Sequence, residues 1–287
     1  MKIDKPIFIV GSGRSGTTIL YNLISIHPSV CWFSNYSDKY ANVYLVPALH
    51  RILDLPWLGN SFKQKILHKK ELVVKPREGD NIIHHHCGFK HSTKSTEKDL
   101  DLHVEKQFKD YIKRHLFLTG KSRFLHKATA NTQRLRLINA MFKDAFFIHL
   151  IRDGRAVANS LLKINWWKDT VIWWLGEKVS DLEKNDKEPI ELCALHWKKI
   201  VEEIRINRNI LGNRYIEVRY EDLIKDVKKE ITTLLHFCEL SQSPSYLKLL
   251  PKTLPNMNRK WVNDLNHNQK SAIDSTIKPF LTELGYS

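Results

Sequence analysis

The chain has 287 residues, 42% hydrophobic and 27% charged, an ordinary balance for a folded globular protein with a sizeable core. That composition excludes a disordered or disulfide-stapled chain, and no apolar run approaches the roughly 18 residues of a membrane helix. Lys and Arg number 46 against 31 Asp and Glu, a formal charge of +15, which favours anionic partners. No motif of the common nucleic-acid-binding modules is present, so no nucleic-acid partner is expected and a phosphorylated small molecule is the better reading of the charge. Cys31, Cys87, Cys193 and Cys238 are scattered without a C-x-x-C pair. They read as buried thiols in a reducing compartment, so the expected location is the cytoplasm.

The first element is the β-branched run Ile7–Val10, which ends in Gly-Ser-Gly-Arg-Ser-Gly-Thr-Thr at positions 11–18 and passes directly into a helical pattern over Ile19–Ile26. A strand, a glycine-rich turn and a helix N-terminus together place backbone N–H groups and a positive helix end around an anion. Gly11 and Gly16 keep the spacing of the nucleotide-triphosphatase loop G-x-x-x-x-G-K-[ST], and Thr18 takes its hydroxyl position. Thr17 stands where that loop has lysine, and the cation has moved to Arg14. Losing the lysine removes the main side-chain clamp on a β,γ-phosphate, so the loop suits a shorter anionic tail than that of ATP.

Further strands are expected at Val30–Phe33, Leu72–Lys75, Phe124–His126, Ala145–Ile151 and Tyr215–Val218. Helical periodicity between several of them gives the βαβ pattern of a mostly parallel sheet. Residues 34–122 hold most histidines, many lysines and weak periodicity, and read as an irregular insertion over the sheet edge where ligands bind. Within it, the run His84-His85-His86 invites a metal reading, but adjacent side chains diverge and rarely close a coordination sphere. Trp166, Trp167, Trp173 and Trp174 read first as a helix packing its broad face on the core. An acceptor platform or a membrane-surface contact is the alternative. Long helices are expected over Glu191–Leu211, Asp222–Leu240 and Asn268–Leu284.

A second anion signal lies at Phe146–Ser160. An apolar strand runs into Arg152, turns through Asp153-Gly154 and continues as a helix over Arg155–Lys163. Ser160 lies about two turns into that helix and can face back toward Arg152, so guanidinium and hydroxyl can share one phosphate.

Together the two signals resemble the sulfotransferases that use 3′-phosphoadenosine 5′-phosphosulfate. Arg14-Ser15-Gly16-Thr17-Thr18 is similar to that family's 5′-phosphosulfate loop, and Arg152 with Ser160 to its 3′-phosphate motif. The resemblance continues through Arg219-Tyr220-Glu221-Asp222-Leu223 and the basic segment Asn258-Arg259-Lys260-Trp261. It implies a single α/β domain of the P-loop type over residues 1–287, with a central, mostly parallel sheet flanked by helices. Gly13, Arg14, Ser15, Gly16, Thr17, Thr18, Arg152, Ser160, Tyr220, Arg259 and Lys260 would bind the nucleotide, Arg14 would stabilise the leaving group, and no metal is required. The general base is open: Asp38 is the first candidate, Glu78 the second, and the histidines at 84–86 follow. In the tyrosine-sulfating branch a glutamate serves, and its counterpart by position is Asn35, which cannot act as a base. The acceptor is a glycan, a phenol or a lipid. An ATP-dependent small-molecule or nucleotide kinase and a non-catalytic polyanion binder are the rival functions.

Overall fold

In the computed structural model, residues 2–68, 74–88, 94–184 and 188–286 are described. Strands β1 (Ile7–Val10), β2 (Val30–Cys31), β3 (Arg123–Lys127), β4 (Phe146–Ile151) and β7 (Tyr215–Arg219) form a five-stranded sheet in the order β2-β3-β1-β4-β7. Every pairing in it is parallel, with Ile7 opposite Leu125 on one side and Phe146 on the other. A separate two-residue hairpin joins β5 (Val171–Ile172) to β6 (Glu177–Lys178). All residues of β1 and β4 are buried, because a parallel sheet is covered by helices on both faces. Side-chain alternation then splits the core: Ile7 and Ile9 join one cluster, Phe8 and Val10 the other.

The expected strands at residues 7, 124, 145 and 215 all form, the second shortens to Val30–Cys31, and of the one at Leu72–Lys75 the described residues Val74 and Lys75 carry no strand. Residues 72 and 73 of that segment lie outside the described residues, and beside it Pro76 makes only an isolated bridge to Ser34. The 34–122 segment is less irregular than its periodicity suggests. It carries helices Asn35–Lys39, Gly59–Leu67, Asp80–Cys87 and the 18-residue Leu102–Thr119. The last of these is the crossover between β2 and β3, and its Phe108, Tyr111 and His115 rings meet Phe33 at centroid distances of 5.1–6.2 Å. Two long helices are interrupted. Asn207 turns its carboxamide onto the Glu203 carbonyl at 2.7 Å and ends Pro189–Ile206, while Asp226 caps a new helix by accepting from the Lys229 N–H at 3.1 Å. Short polar side chains compete locally with the helix ladder in this way.

The β4 crossover helix Gly154–Leu162 is locked to the helices Pro189–Ile206 and His267–Glu283 at its first residue. A Cβ on Gly154 would lie 2.5 Å from the Trp197 ring and 2.8 Å from Ile277, so only glycine permits this approach. The four cysteines are all buried free thiols.

Burial also holds several imidazoles neutral: His50 and His115 are pushed down to about 3, His126 and His196 to about 4. In the unfolded chain they titrate near ~6.5, so below that pH the unfolded state binds protons that the native state refuses. Stability is therefore full above ~6.5 and falls as pH drops toward 4, by at most about 1.4 kcal/mol per pH unit for each histidine. Urea midpoints measured between pH 7.5 and 5 (about the span of imidazole titration) should decline steadily and more steeply at the acid end; a flat profile would contradict this burial.

Candidate functional site

The C-terminal ends of four sheet strands deliver the polar side chains of one cavity. Val10 ends β1 and opens the glycine loop, Lys127 ends β3, Arg152 follows β4 and Tyr220 follows β7. The cavity, about 1450 Å³, is lined by Gly13, Arg14, Gly16, Thr17, Thr18, Arg152, Ser160, Tyr220 and Lys260 from the expected set. This is the switch region of an open α/β sheet, where β1 has neighbours wound in opposite senses.

The helix Thr17–Ser25 starts at Gly16, whose φ is +96°. A Cβ there would meet the Tyr220 ring at 2.7 Å, so the loop depends on glycine for both its turn and its packing. Gly16 offers no side-chain cap, which leaves the N–H groups of Thr17 and Thr18, both in the cavity lining, without an intrahelical partner. Arg14 adopts φ +68°, uncommon outside glycine. Its carbonyl receives a 2.9 Å hydrogen bond from Arg152 Nη1, and its own Nε donates to Ser160 Oγ at 3.0 Å.

Arg152 is held on every side. Its Nε donates to Asn258 Oδ1 at 2.7 Å and its Nη2 to the Met257 carbonyl at 3.0 Å, while its guanidinium lies 4.5 Å over the Tyr220 ring. Burial pulls its pKa below the usual guanidinium range, opposed by the nearby Tyr220, Glu221 and Asp153. Glu221 anchors this end: it accepts from Asn258 Nδ2, from the Asp153 N–H at 3.1 Å and from the Tyr286 hydroxyl at 3.1 Å.

At the other end, Lys127 is 4% exposed and donates to Glu78 and, at 3.2 Å, to Thr18 Oγ1. Glu78 also accepts from the Thr129 N–H at 3.1 Å. Behind it His126 Nε2 meets the Glu78 carbonyl at 2.7 Å while Nδ1 faces Asn131 Nδ2 at 3.0 Å. A carbonyl only accepts, so Nε2 carries the proton and the ring is neutral, in keeping with its lowered pKa. Lys127 follows the expected strand Phe124–His126 as Arg152 follows Ala145–Ile151, but no motif surrounds it.

The rest of the wall sets the apolar side chains of Leu67, Ile164, Trp166, Ile200 and Leu254 among polar ones such as Asp80, Lys163, Asp169 and Asp264. Within it Gln133 Oε1, Asn159 Oδ1 and His196 Nδ1 are buried and have no partner among the described residues. Such atoms are left for a ligand or water to satisfy.

Several expectations change place. Asp38 does not line the cavity: its carboxylate accepts from the N–H groups of Asn81 and Ile82 at 3.0 and 3.3 Å and caps the helix Asp80–Cys87. That role holds the carboxylate outside the cavity lining, away from the loop where the expected base is needed. Ser15 is buried behind the loop, and exposed Arg259 lies outside the cavity lining while Lys260 is in it. The tryptophans divide: Trp167 is buried and packs on His196, Trp174 leans on the same ring, and Trp166 stands half-exposed at the cavity. His86 packs on Tyr111 at 4.3 Å, and no group of three potential metal ligands occurs among the described residues.

A sequence profile of the sulfotransferase family matches residues 6–244. The omega-hydroxy-beta-dihydromenaquinone-9 sulfotransferases Stf3 of Mycobacterium bovis and Mycobacterium tuberculosis are 23% identical over 99% of this chain and 76% of theirs. Among solved structures, sulfotransferase STF9 from Mycobacterium avium superposes with a TM-score of 0.61 at 14% identity, covering 100% of this chain and 78% of that one. Sulfotransferase STF1 from Mycobacterium tuberculosis gives 0.56 at 17% identity over 86% and 71%.

The reassignment of Asp38 has a direct consequence. Asp38→Ala should cost about 1 kcal/mol in a urea titration, the usual loss of an N-cap, and leave anion binding in the cavity unchanged. A loss of cavity binding without loss of stability would contradict the capping role.

Proposed function

Because the chain belongs to the sulfotransferase family and catalyses sulfuryl transfer, we propose that its donor is 3′-phosphoadenosine 5′-phosphosulfate and its acceptor the hydroxyl of an amphipathic small molecule. The observation that carries the donor is the meeting, in one cavity, of the glycine loop and the Arg152–Ser160 pair, joined by the Arg152–Arg14 and Arg14–Ser160 hydrogen bonds. Two anion sites on one ligand fit a nucleotide phosphorylated at both 3′ and 5′ positions. The loop N–H groups of Thr17 and Thr18 would take the 5′-phosphate, and Arg152, Ser160 and Lys260 the 3′-phosphate. When bound, the nucleotide supplies an activated sulfuryl group on a phosphate leaving group.

The residues then divide the work. Glu78, held in the cavity wall by Lys127 and the Thr129 N–H, would accept the proton of the attacking hydroxyl. Lys127 and Arg14 place positive charge where charge builds on the departing phosphate oxygen. Sulfuryl transfer, like phosphoryl transfer, rests on such positioning and charge stabilisation. The apolar part of the wall supports an acceptor with a hydrocarbon body, the class to which the menaquinone derivative in the Stf3 name belongs. We read residues 1–287 as one catalytic domain, with part of 34–122 closing its cavity. Free buried thiols support a cytoplasmic setting, and among the described residues no helix is long and apolar enough to cross a membrane.

In a thermal-shift assay, adenosine 3′,5′-bisphosphate should raise the melting temperature well above the effect of ATP with Mg²⁺, since ligand bound to the native state stabilises it. An equal or larger shift with ATP and Mg²⁺ would favour a kinase instead. Arg152→Ala should weaken bisphosphate binding most, while Arg14→Ala should chiefly lower kcat.

Glu78→Gln keeps the shape and removes the proton acceptor. Its kcat should fall by roughly a hundredfold or more with bisphosphate affinity preserved; near-normal turnover would remove Glu78 from the chemistry.

A further inference from the structure

Half of the large apolar side chains that stand exposed among the described residues fall between positions 40 and 58. Eight residues there are at least 45% exposed, with Leu45 at 65% and Trp57 at 94%. The segment is built to hold them outward. Its 3-10 helix Val46–Asp54 buries Pro47, His50 and Leu53 toward the protein, against the helices Leu102–Thr119 and Gly59–Leu67, and leaves Leu49, Arg51 and Asp54 facing solvent. A cluster of this extent on a folded protein marks a contact surface.

Its charge identifies the contact. Positions 39–68 carry Lys39, Arg51, Lys63 and Lys65 against one carboxylate, Asp54, which is already paired with Lys121 at 2.6 Å. Arg51 is fixed beside the patch by donating to the Leu118 carbonyl at 2.7 Å. Tyr and Trp at an apolar surface rimmed by Lys and Arg match a lipid bilayer whose headgroups are anionic. We propose that residues 40–58 dock the enzyme on an anionic bilayer.

The patch also has a route to the site. The helix Gly59–Leu67 begins immediately after Leu58 and ends at Leu67, a residue of the cavity wall. Nine residues of helix span about 13 Å, so a bilayer touching the patch lies one short helix from the cavity. An acceptor with a hydrocarbon body would be met where it resides. That last step rests on the sulfuryl-transfer reading above; the docking does not.

Flotation of the full chain with vesicles of phosphatidylcholine alone, and of phosphatidylcholine with phosphatidylserine, tests the surface. The chain should float with the anionic vesicles, weakly or not at all with the zwitterionic ones, and less as salt rises. The double variant Trp57→Ser, Leu45→Ser should float severalfold less, while Ile206→Ser, an exposed apolar change elsewhere at 73% exposure, should not. Melting temperature and bisphosphate affinity should be little changed in all variants, since these side chains are mostly exposed. Absence of flotation, an unaffected double variant, or a dimer that the double variant dissociates would overturn the proposal, the dimer by giving the patch to a second copy. Failure of the wild-type chain to bind bisphosphate, with flotation intact, would strike the donor reading instead.

Discussion

The site depends on one buried cation. Arg152 projects from the end of β4 and its three donor nitrogens reach the carboxamide of Asn258, the carbonyl of Arg14 and the carbonyl of Met257. Those partners are more than 100 residues away in sequence on either side. A buried guanidinium is costly unless its donors are matched, so each of these segments is bound to the position that matches them. The glycine loop accepts an uncommon φ at Arg14 within this arrangement, and the 257–258 strap is drawn over the sheet edge. Glu221 closes the set by holding both Asn258 and the Asp153 N–H, which places the negative charge one residue away from the cation it balances.

From that constraint the cavity acquires surfaces of different chemistry. Along the loop and Arg152 it offers positive charge and helix N–H groups; Leu67, Ile164, Trp166, Ile200 and Leu254 give it apolar surface as well. Glu78 and Lys127 stand across the loop from Arg152, oriented by Thr18, Thr129 and His126. A neutral His126 matters here because its proton fixes the Glu78 backbone without adding charge beside the Glu78–Lys127 pair. The segment that carries the apolar cluster at 40–58 also carries Lys39 and Arg51, with Lys63 and Lys65 in the next helix, so the proposed docking would draw on electrostatic attraction and apolar contact together.

Much of this was legible in the sequence, and what was not had physical reasons. The loop and the strand ending in Arg152 were readable because strand, turn and helix onset each leave a local signature. Lys127 ends the strand Arg123–Lys127 in the same way, but a lone lysine after an apolar run has no motif around it, and only its meeting with Glu78, some 50 residues earlier, gives it a role. Asp38 illustrates the opposite case. Its distance along the chain suited a base, yet the N-terminus of a helix 43 residues later was free to capture its carboxylate. Within 34–122 the helices Asn35–Lys39, Gly59–Leu67 and Asp80–Cys87 are too short for an apolar face to repeat, and in Leu102–Thr119 the exposed Leu102 and Phe117 blur the period. The breaks at Asn207 and Asp226 came from single side-chain hydrogen bonds, which periodicity does not register.

The central claim is that the loop and the Arg152–Ser160 pair hold the two phosphates of one nucleotide. A crystal structure with adenosine 3′,5′-bisphosphate tests it most directly. The account predicts the 5′-phosphate on the N–H groups of Thr17 and Thr18, with the 3′-phosphate within hydrogen-bond reach of Ser160 and Arg152. A nucleotide seated away from the loop, or one whose 3′-phosphate faces solvent while Arg152 keeps only its protein partners, would contradict it.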